Sequence, residues 1–394
     1  MAILAVNAGS STLKFSVHPL QNQGVLDPVL IGNIQGLEPA GQPRMDWIWQ
    51  GQRHQRALPT IEGTPFERAL HALHGLLAEL PALPPLRAVA HRVVHGGHQY
   101  QHSVRITPEV LRALEQLNSL APLHQPHNLA GIRAFTAAFP ELPQVACFDT
   151  AFHATLPREE SHYALPQTLA DQGVRRYGFH GLSYQSIMGT LQSCSARAHG
   201  RTLMAHLGNG ASLCATLQGR SQATTMGFSA LDGLVMGTRC GSIDPGVLLY
   251  LLEQGWDHDR IQALLYRQSG LLGVSGIAAD MRTLRASTAP AAQFAIELFT
   301  RRVVRATGEL SACIGGLDVL AFSGGIGEND SLLRADVAQR LAYLGVRVDA
   351  TLNARPAHGP AAWAIHAPDS AVEVWVVPTD EGRVAAAEAA ALVL

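Results

Sequence analysis

Four polar side chains stand alone where apolar runs end, and their types suit the handling of an anion. Arg92 follows Ala88-Val89-Ala90-His91, and Asp149 ends Gln144-Val145-Ala146-Cys147-Phe148. His180 sits in Arg176-Tyr177-Gly178-Phe179-His180-Gly181, and Arg239 in Met236-Gly237-Thr238-Arg239-Cys240-Gly241. A single arginine of this kind is more often half of a salt bridge. Two arginines in Gly-flanked apolar segments better suit a bidentate grip on a carboxylate or phosphoryl group. Asp149 and Glu381, with Asn7, offer oxygen ligands for Mg2+. The string His91, His95 and His98 lacks HExxH spacing, and the Gly96-Gly97 turn breaks strand alternation, so a zinc site is not expected there.

Three turns of small residues accompany these groups, at 7–12, 206–212 and 323–329. Each follows an apolar strand, and such turns bare backbone N–H groups that suit phosphate. The first, Asn7-Ala8-Gly9-Ser10-Ser11-Thr12, leads to Lys14, the only lysine in a chain whose other 28 basic residues are arginine. The sequence has neither GxxxxGK[ST] nor GxGxxG in a short βαβ unit, which points away from P-loop and Rossmann folds. The expectation is a nucleotide held by several hairpins in a cleft between two duplicated domains, with a helix N-terminus after Gly327.

Composition agrees. At 394 residues the chain has room for two domains, and a net charge of −2 argues against nucleic acid or an anionic membrane as partner. Five scattered cysteines without CxxC spacing read as reduced thiols of a cytoplasmic protein. No basic, apolar leader precedes the first strand, and no uncharged apolar run is long enough to span a membrane.

The elements that must position these residues alternate between strand and helix. Ile3–Val17 reads as a hairpin, Thr64-Pro65-Phe66-Glu67 starts a helix running to Leu80, and Ala88–Val94 is a buried strand. A loop over 120–127 precedes a helix over 128–139. After residue 150 the order begins again: Arg201–Leu217 is a second hairpin, aligned with the first at an offset of 201 by laying Gly210-Ala211-Ser212 on Gly9-Ser10-Ser11. Helices follow over 257–268 and 289–308, then the strand 318–322, a strand over 372–377, and a final Ala-rich helix from Arg383. A largely parallel or mixed sheet follows from this alternation.

The chain resembles the acetokinase family, within the actin, hexokinase and Hsp70-type ATPase superfamily. The matching motifs are Asn-Ala-Gly-Ser-Ser at 7–11, His-Arg-Val-Val-His-Gly-Gly at 91–97, Ala-Pro-Leu-His at 121–124 and Phe-Asp-Thr-Ala-Phe-His at 148–153. Others are Arg-Arg-Tyr-Gly-Phe-His-Gly at 175–181, His-Leu-Gly-Asn-Gly at 206–210, Met-Gly-Thr-Arg at 236–239, Gly-Gly-Ile-Gly-Glu-Asn at 324–329 and Pro-Thr-Asp-Glu at 378–381. They keep the family's order along almost the whole chain.

The resemblance implies two duplicated, ribonuclease-H-like (actin-like ATPase) α/β domains: 1–150 completed by 383–394, and 151–382 with most of the nucleotide site. It implies reversible Mg2+-dependent phosphoryl transfer from ATP to acetate, with Mn2+ as the alternative ion, by a homodimer. ATP or ADP would lie against Ser10, Thr12 and Lys14, against His206, Leu207, Gly208, Asn209 and Gly210, against Asp280, Met281 and Arg282, and against Gly325, Ile326, Gly327, Glu328 and Asn329. Asn7 and Glu381 would face the metal. Arg92 and Arg239 would hold acetate and the phosphoryl group, Asp149 is the family's acid/base residue, His180 and Arg239 stabilise its transition state, and His124 matches a further active-site histidine. Val94, Leu123, Phe179 and Ala230 would wall the methyl pocket.

The chain departs from the family's usual pattern at Thr12 (Ser), Thr283 (Asp), Cys240 and Ser242 (Ser and Asp), Asp380 (Asn) and Ala230 (Pro). The last enlarges the acyl pocket, so a propionate or butyrate kinase is the near alternative. A non-metabolic ATPase of the Hsp70 or actin type is the distant one, and it would lack two arginines beside a small apolar pocket.

Overall fold

The computed structural model describes every residue except Ser10, Gln23, 39–40, 59–63, Pro81, Leu123, 357–358 and Pro360. Its chain divides into two compact units, Met1–Ala151 with Asp380–Leu394, and Phe152–Thr379.

Among the described residues, the first unit is built on a nine-stranded mixed sheet. Its strands run in the order Gln52–Ala57, Arg44–Trp49, Leu30–Gln35, Thr12–Gln21, Ala2–Ala8, Leu86–Val93, Gln144–Phe148 and Val104–Arg105, with Gly24–Val25 paired to Thr12–Gln21. Ala2–Ala8, Leu86–Val93 and Gln144–Phe148 are parallel neighbours, in register at Val6 with His91 and at Arg92 with Cys147. Alternation along these strands sorts the side chains onto two faces. Leu4, Val6, Val89 and Phe135 join one core on the face covered by the helices Pro65–Glu79 and Gln125–Ala138. Cys147 lies on the other face, where its thiol donates to the Ala385 carbonyl of the final helix, Glu381–Val393. That helix buries Ala385, Ala386, Ala389 and Ala390, a small-residue stripe that lets its backbone lie close to the sheet.

Helix starts follow local chemistry. Thr64 and Glu67 form a reciprocal capping box ahead of Pro65–Glu79. Two starts differ from the sequence reading. The helix expected from residue 128 begins at Gln125, because Pro126 occupies its first turn, where a missing N–H costs nothing. The final helix begins at Glu381 rather than Arg383, because the Asp380 side chain caps the Arg383 N–H at 2.8 Å.

The second unit carries a six-stranded sheet, counted over the described residues. Its order is Arg220–Thr224, Ala211–Leu217, Arg201–Leu207, Val319–Ser323, Glu373–Val376 and Trp363–Ala364. It repeats the plan of the first: the first strand of a hairpin pairs in parallel with a later strand, and that with another. Met204 packs with Tyr184, Ile187 and Leu191 of the helix Gly181–Cys194, and the helix Pro290–Cys313 buries a second long apolar stripe. That helix extends five residues past the expected end at 308.

The repeat is real, but its alignment differs from the sequence reading. The hairpins close at Ala8 with Leu13 and at Leu207 with Ala211, which sets the offset along the first strand at 199 rather than 201. The second turn is one residue shorter, so matching glycines by eye shifts the register. On this pairing Asn7 corresponds to His206.

Candidate active site

In the first unit the parallel ladder brings together four residues from distant parts of the chain. The Arg92 guanidinium donates to both carboxylate oxygens of Asp149, at 3.1 and 2.5 Å, and to the Asn7 side-chain oxygen at 3.4 Å. Glu381, at the start of the final helix, lies 3.4 Å from Arg92 Nε. All four sit at the C-terminal ends of parallel strands or at a helix start, where the backbone leaves the core. Asp149 is only 1% exposed. Burial pushes its carboxyl up to about 6; Arg92 works against that shift and Glu381 adds to it. Burial disfavours the Arg92 charge, yet Asp149 and Glu381 outweigh it and raise the group's affinity for its proton.

Two carboxylates therefore face one guanidinium, and the excess negative charge beside the Asn7 oxygen fits a divalent cation. Mg2+ binds through one or two carboxylates and keeps several waters. The Glu381 carboxylate and the Asn7 oxygen are the suitable donors, because the Asp149 carboxylate is already engaged on both oxygens.

Neighbouring loops are pinned by buried amides. Asn128 accepts from the Val94 N–H at 3.0 Å and donates to the Ala8 carbonyl at 2.9 Å, so it ties the first turn to the 94–97 loop. Gln125 does the same for His95. His124 takes the N-cap position of the helix Gln125–Ala138. His91 points to the opposite face and bonds Gln144 at 2.7 Å, and burial lowers its pKa to about 4. His95 Nδ1 accepts from the Gly97 N–H.

At the first hairpin, Lys14 is exposed and lies directly across the ladder from Asn7 on one side and Asn33 on the other. Directly opposed residues share a sheet face, so Lys14 stands on the face of Asn7 and not on the core. Thr12 accepts the Gly9 N–H through its carbonyl at 2.8 Å. Ser10 and Leu123 lie outside the described residues.

In the second unit, three segments converge on the turn after Arg201–Leu207. A Cβ added to Gly210 would lie 3.4 Å from both Arg239 Nη2 and His180 Nε2, so a guanidinium and an imidazole meet over a residue without bulk. Gly208 brings the Gly325 amide nitrogen and His206 Nε2 within 4.0 Å of its own Cβ position. Gly237 donates to the Asn209 carbonyl, and the Asn209 side chain occupies the space a Gly237 side chain would need, beside the Ala279 carbonyl. The 206–210, 236–239 and 324–329 segments and the loop leading to Asp280 thus form one cluster.

His180 adopts the left-handed region, φ 60° and ψ 23°, at the N-cap of Gly181–Cys194. A non-glycine residue pays about 1–3 kcal/mol there unless its surroundings hold it. Ser212 bonds its Nδ1 at 2.8 Å, and its ring lies tilted by 31° against that of His206, 4.4 Å between centroids. His206 is in turn bonded by Ser183 at 2.7 Å. Arg239 Nη1 donates to the Ala230 carbonyl at 2.7 Å. Ala230 therefore touches Arg239 through its backbone, a contact that its side-chain type does not signal. Phe179 is buried just before His180.

The remaining nucleotide candidates divide. Asp280 caps the helix Met281–Ala286, and Thr283, the residue in place of the family's usual Asp, adds its own N–H and hydroxyl to that carboxylate. Arg282 is exposed and paired with Asp280 at 3.3 Å. The helix expected after Gly327 begins at Gly324, whose φ of +77° lets its backbone pass close to the Leu207 carbonyl. Glu328 turns back to accept the Gly324 N–H at 2.9 Å, and burial raises its pKa. Asn329 donates to the Gly325 carbonyl, so both polar side chains of that helix hold its own backbone.

Two residues that sequence reasoning missed hold this cluster. Buried Arg334 donates to the Gly327 and Glu328 carbonyls at 2.9 and 2.8 Å and to Asn353. Buried His153 bonds the Phe179 carbonyl through Nε2 and Ser221 through Nδ1, both at 2.9 Å. Burial pushes its pKa down to about 4, so it acts as a neutral brace. His153 was visible as the end of the 148–153 motif; nothing in the sequence singles out Arg334.

The sequence profile of the Acetokinase family matches residues 2–387. A protein named acetate kinase from Rhodopseudomonas palustris is 49% identical over 383 residues, covering 96% of this chain and 95% of its own. One from Nitrobacter hamburgensis is 45% identical over 395 residues, covering 100% and 96%. Among solved structures, a propionate kinase from Francisella tularensis has a TM-score of 0.90 at 34% identity, covering 98% of each chain. The acetate kinase of Porphyromonas gingivalis has a TM-score of 0.86 at 33% identity, again over 98% of each chain. The fold is accordingly the duplicated, actin-like ATPase type. With the profile spanning nearly the whole chain and relatives far above 30% identity, the protein belongs to the acetokinase family.

Proposed function

We propose that the protein moves the γ-phosphoryl group reversibly between ATP and acetate by direct in-line transfer. The observation that carries this reading is the meeting of Arg239 and His180 over Gly210. An acetate oxygen attacks the γ-phosphorus, the bond to the ADP oxygen breaks, and acetyl phosphate and ADP leave. A carboxylate with a pKa of about 4–5 is already ionised at neutral pH, so no base is needed to activate it. The transition state spreads charge over three phosphoryl oxygens, and catalysis is chiefly positioning and electrostatic stabilisation. Arg239 and His180 donate to those oxygens. Arg92 holds the carboxylate, and Asp149 orients Arg92 rather than exchanging a proton. We assign the backbone N–H groups of 206–210 and 325–327 to the nucleotide phosphates and Asp280, Met281 and Arg282 to the nucleoside, and Ser10, Thr12 and Lys14 to the same ligand on the family resemblance alone. Mg2+ held through Asn7 and Glu381 would neutralise phosphate charge. His124 is assigned to the same reaction, and Val94, Leu123, Phe179 and Ala230 to the methyl pocket.

Ranking kcat/KM for acetate, propionate and butyrate tests the substrate. A methylene in an apolar pocket is worth about 1–3 kcal/mol, so acetate is expected to lead propionate by about tenfold or more. Propionate leading acetate would transfer the reading to a propionate kinase, in line with the room that Ala230 leaves.

We also propose a cytoplasmic homodimer. The five cysteines are all free thiols, and no described helix is long and apolar enough to cross a membrane. The helix Pro245–Glu253 reads PGVLLYLLE yet buries none of its residues; Leu249, Tyr250 and Leu252 are each more than half exposed. An apolar helix of this kind marks an association surface, and the uncharged Leu249, Tyr250 and Leu252 suit a two-fold contact with the same face of a second copy. Light scattering is expected to give twice the 42.1 kDa chain mass, and Leu249→Asp with Tyr250→Asp is expected to give monomers. A monomeric wild type would refute this assignment.

A further inference from the structure

We infer that Tyr184 and Ser212 act as positioning residues that hold His180 as the neutral imidazole protonated on Nε2. Tyr184 and Ser212 are both fully buried, and their hydroxyls bond at 2.5 Å. Among the described residues, Ser212 is the hydrogen-bond partner of the Tyr184 hydroxyl, while the Ser212 hydroxyl has two partners, Tyr184 and His180 Nδ1. Each hydroxyl has one proton to place. If Ser212 donated to Tyr184, the tyrosine proton would be left in the apolar core without an acceptor, at the cost of an unmade buried bond. If Tyr184 donates to Ser212, Ser212 donates to His180 Nδ1, and every proton is placed. Nδ1 is then an acceptor, and the ring proton sits on Nε2, the nitrogen 3.4 Å from the Gly210 Cβ position.

The surroundings favour the same state. Burial raises the Tyr184 pKa well above 10, so it remains a donor. The titratable groups packed on Tyr184 are neutral: burial pushes the Cys214 thiol up to about 12 and His153 down to about 4. On the neighbouring elements, His206 lies beside His180 with its ring tilted by 31° and is bonded to Ser183. Arg239 Nη2, like His180 Nε2, lies 3.4 Å from the Gly210 Cβ position, a nearby guanidinium that discourages a second positive charge. A histidine at the N-cap of a helix thereby presents an N–H, and not a lone pair, to the proposed phosphoryl oxygens. The consequence for rate rests on the proposed reaction; the tautomer does not.

Long-range 1H–15N NMR of histidine-labelled protein tests this, with the His180 signals assigned by their loss in His180→Asn. The wild type is expected to show Nε2 protonated and Nδ1 bare at pH 8. A wild-type His180 protonated on Nδ1, or on both nitrogens, overturns the inference. Tyr184→Phe removes the obligate donor and is expected to raise the Nδ1-protonated form by about tenfold; Ser212→Cys, a weaker donor, is expected to act in the same direction. The fall in kcat should track the lost Nε2–H population, with KM for ATP unchanged. Folded variants with an unaltered tautomer ratio would remove Tyr184 from the role. If the wild type transfers no phosphoryl group to acetate while the tautomer is as stated, the proposed reaction fails and this inference stands.

Discussion

Arg239→Ala is expected to lower kcat by about three orders of magnitude while KM for Mg·ATP changes little. A cationic side chain that meets the developing charge of a transferring phosphoryl group is worth about 10³–10⁵ in rate. The segment that carries Arg239 is held by a set of backbone hydrogen bonds. Met236 donates to the Arg239 carbonyl, Ser269 to the Thr238 carbonyl, and Leu271 and Leu272 to the Met236 and Gly237 carbonyls. The guanidinium donates to the Ala230 carbonyl, and its truncation removes that donor while these backbone bonds remain. The turns assigned to the nucleotide are untouched, which is why ground-state binding should survive. Arg239→Lys keeps the charge but loses the planar fork and should fall between the two. A kcat within about tenfold of wild type for Arg239→Ala would remove Arg239 from the transition state.

Asp149→Asn is expected to lower kcat/KM for acetate by about a hundredfold at saturating Mg·ATP, the scale on which a small misplacement of a positioned group is felt. The substitution keeps the size and one acceptor, but puts an amide N–H₂ where the second carboxylate oxygen receives Arg92 Nη2 at 2.5 Å. Arg92 keeps Glu381 as a more distant partner, so it should swing rather than lose all support. The pH dependence follows from the same pair. Asp149 is pushed up to about 6 by burial, with Glu381 adding and Arg92 opposing. Above that value it is ionised and holds Arg92; below it a proton displaces the pairing. In the wild type kcat/KM for acetate should rise with pH through about 6 and then level off, and in Asp149→Asn that limb should vanish. Full activity of the variant, or an unchanged limb, would overturn the orienting role.

The ends of the strands were legible because a polar residue closing an apolar run has few other places to go. Arg92 and Asp149 do close strands, whereas His180 caps a helix and Arg239 lies in a loop, so their apolar flanks mark buried irregular chain. Helix starts were legible where a cap and a first-turn proline coincide, as at Thr64-Pro65. They are harder to place where a loop-like stretch carries the first-turn proline, as at Gln125-Pro126, and where the cap is itself a motif residue, as at Asp380.

By itself the sequence determined which residue types could meet an anion, the duplicated strand-and-turn plan, and the family through nine ordered motifs. Only the tertiary structure decided the pairings. The Asn7–Arg92–Asp149–Glu381 group depends on three parallel strand ends and a helix more than 200 residues later in the chain lying on one sheet face. The offset of 199 depends on the register of two turns of unequal length. The roles of Arg334, His153, Tyr184 and Ser212 depend on where buried hydrogen bonds can be satisfied. That requirement acts through space, between groups that carry no mark of one another along the chain.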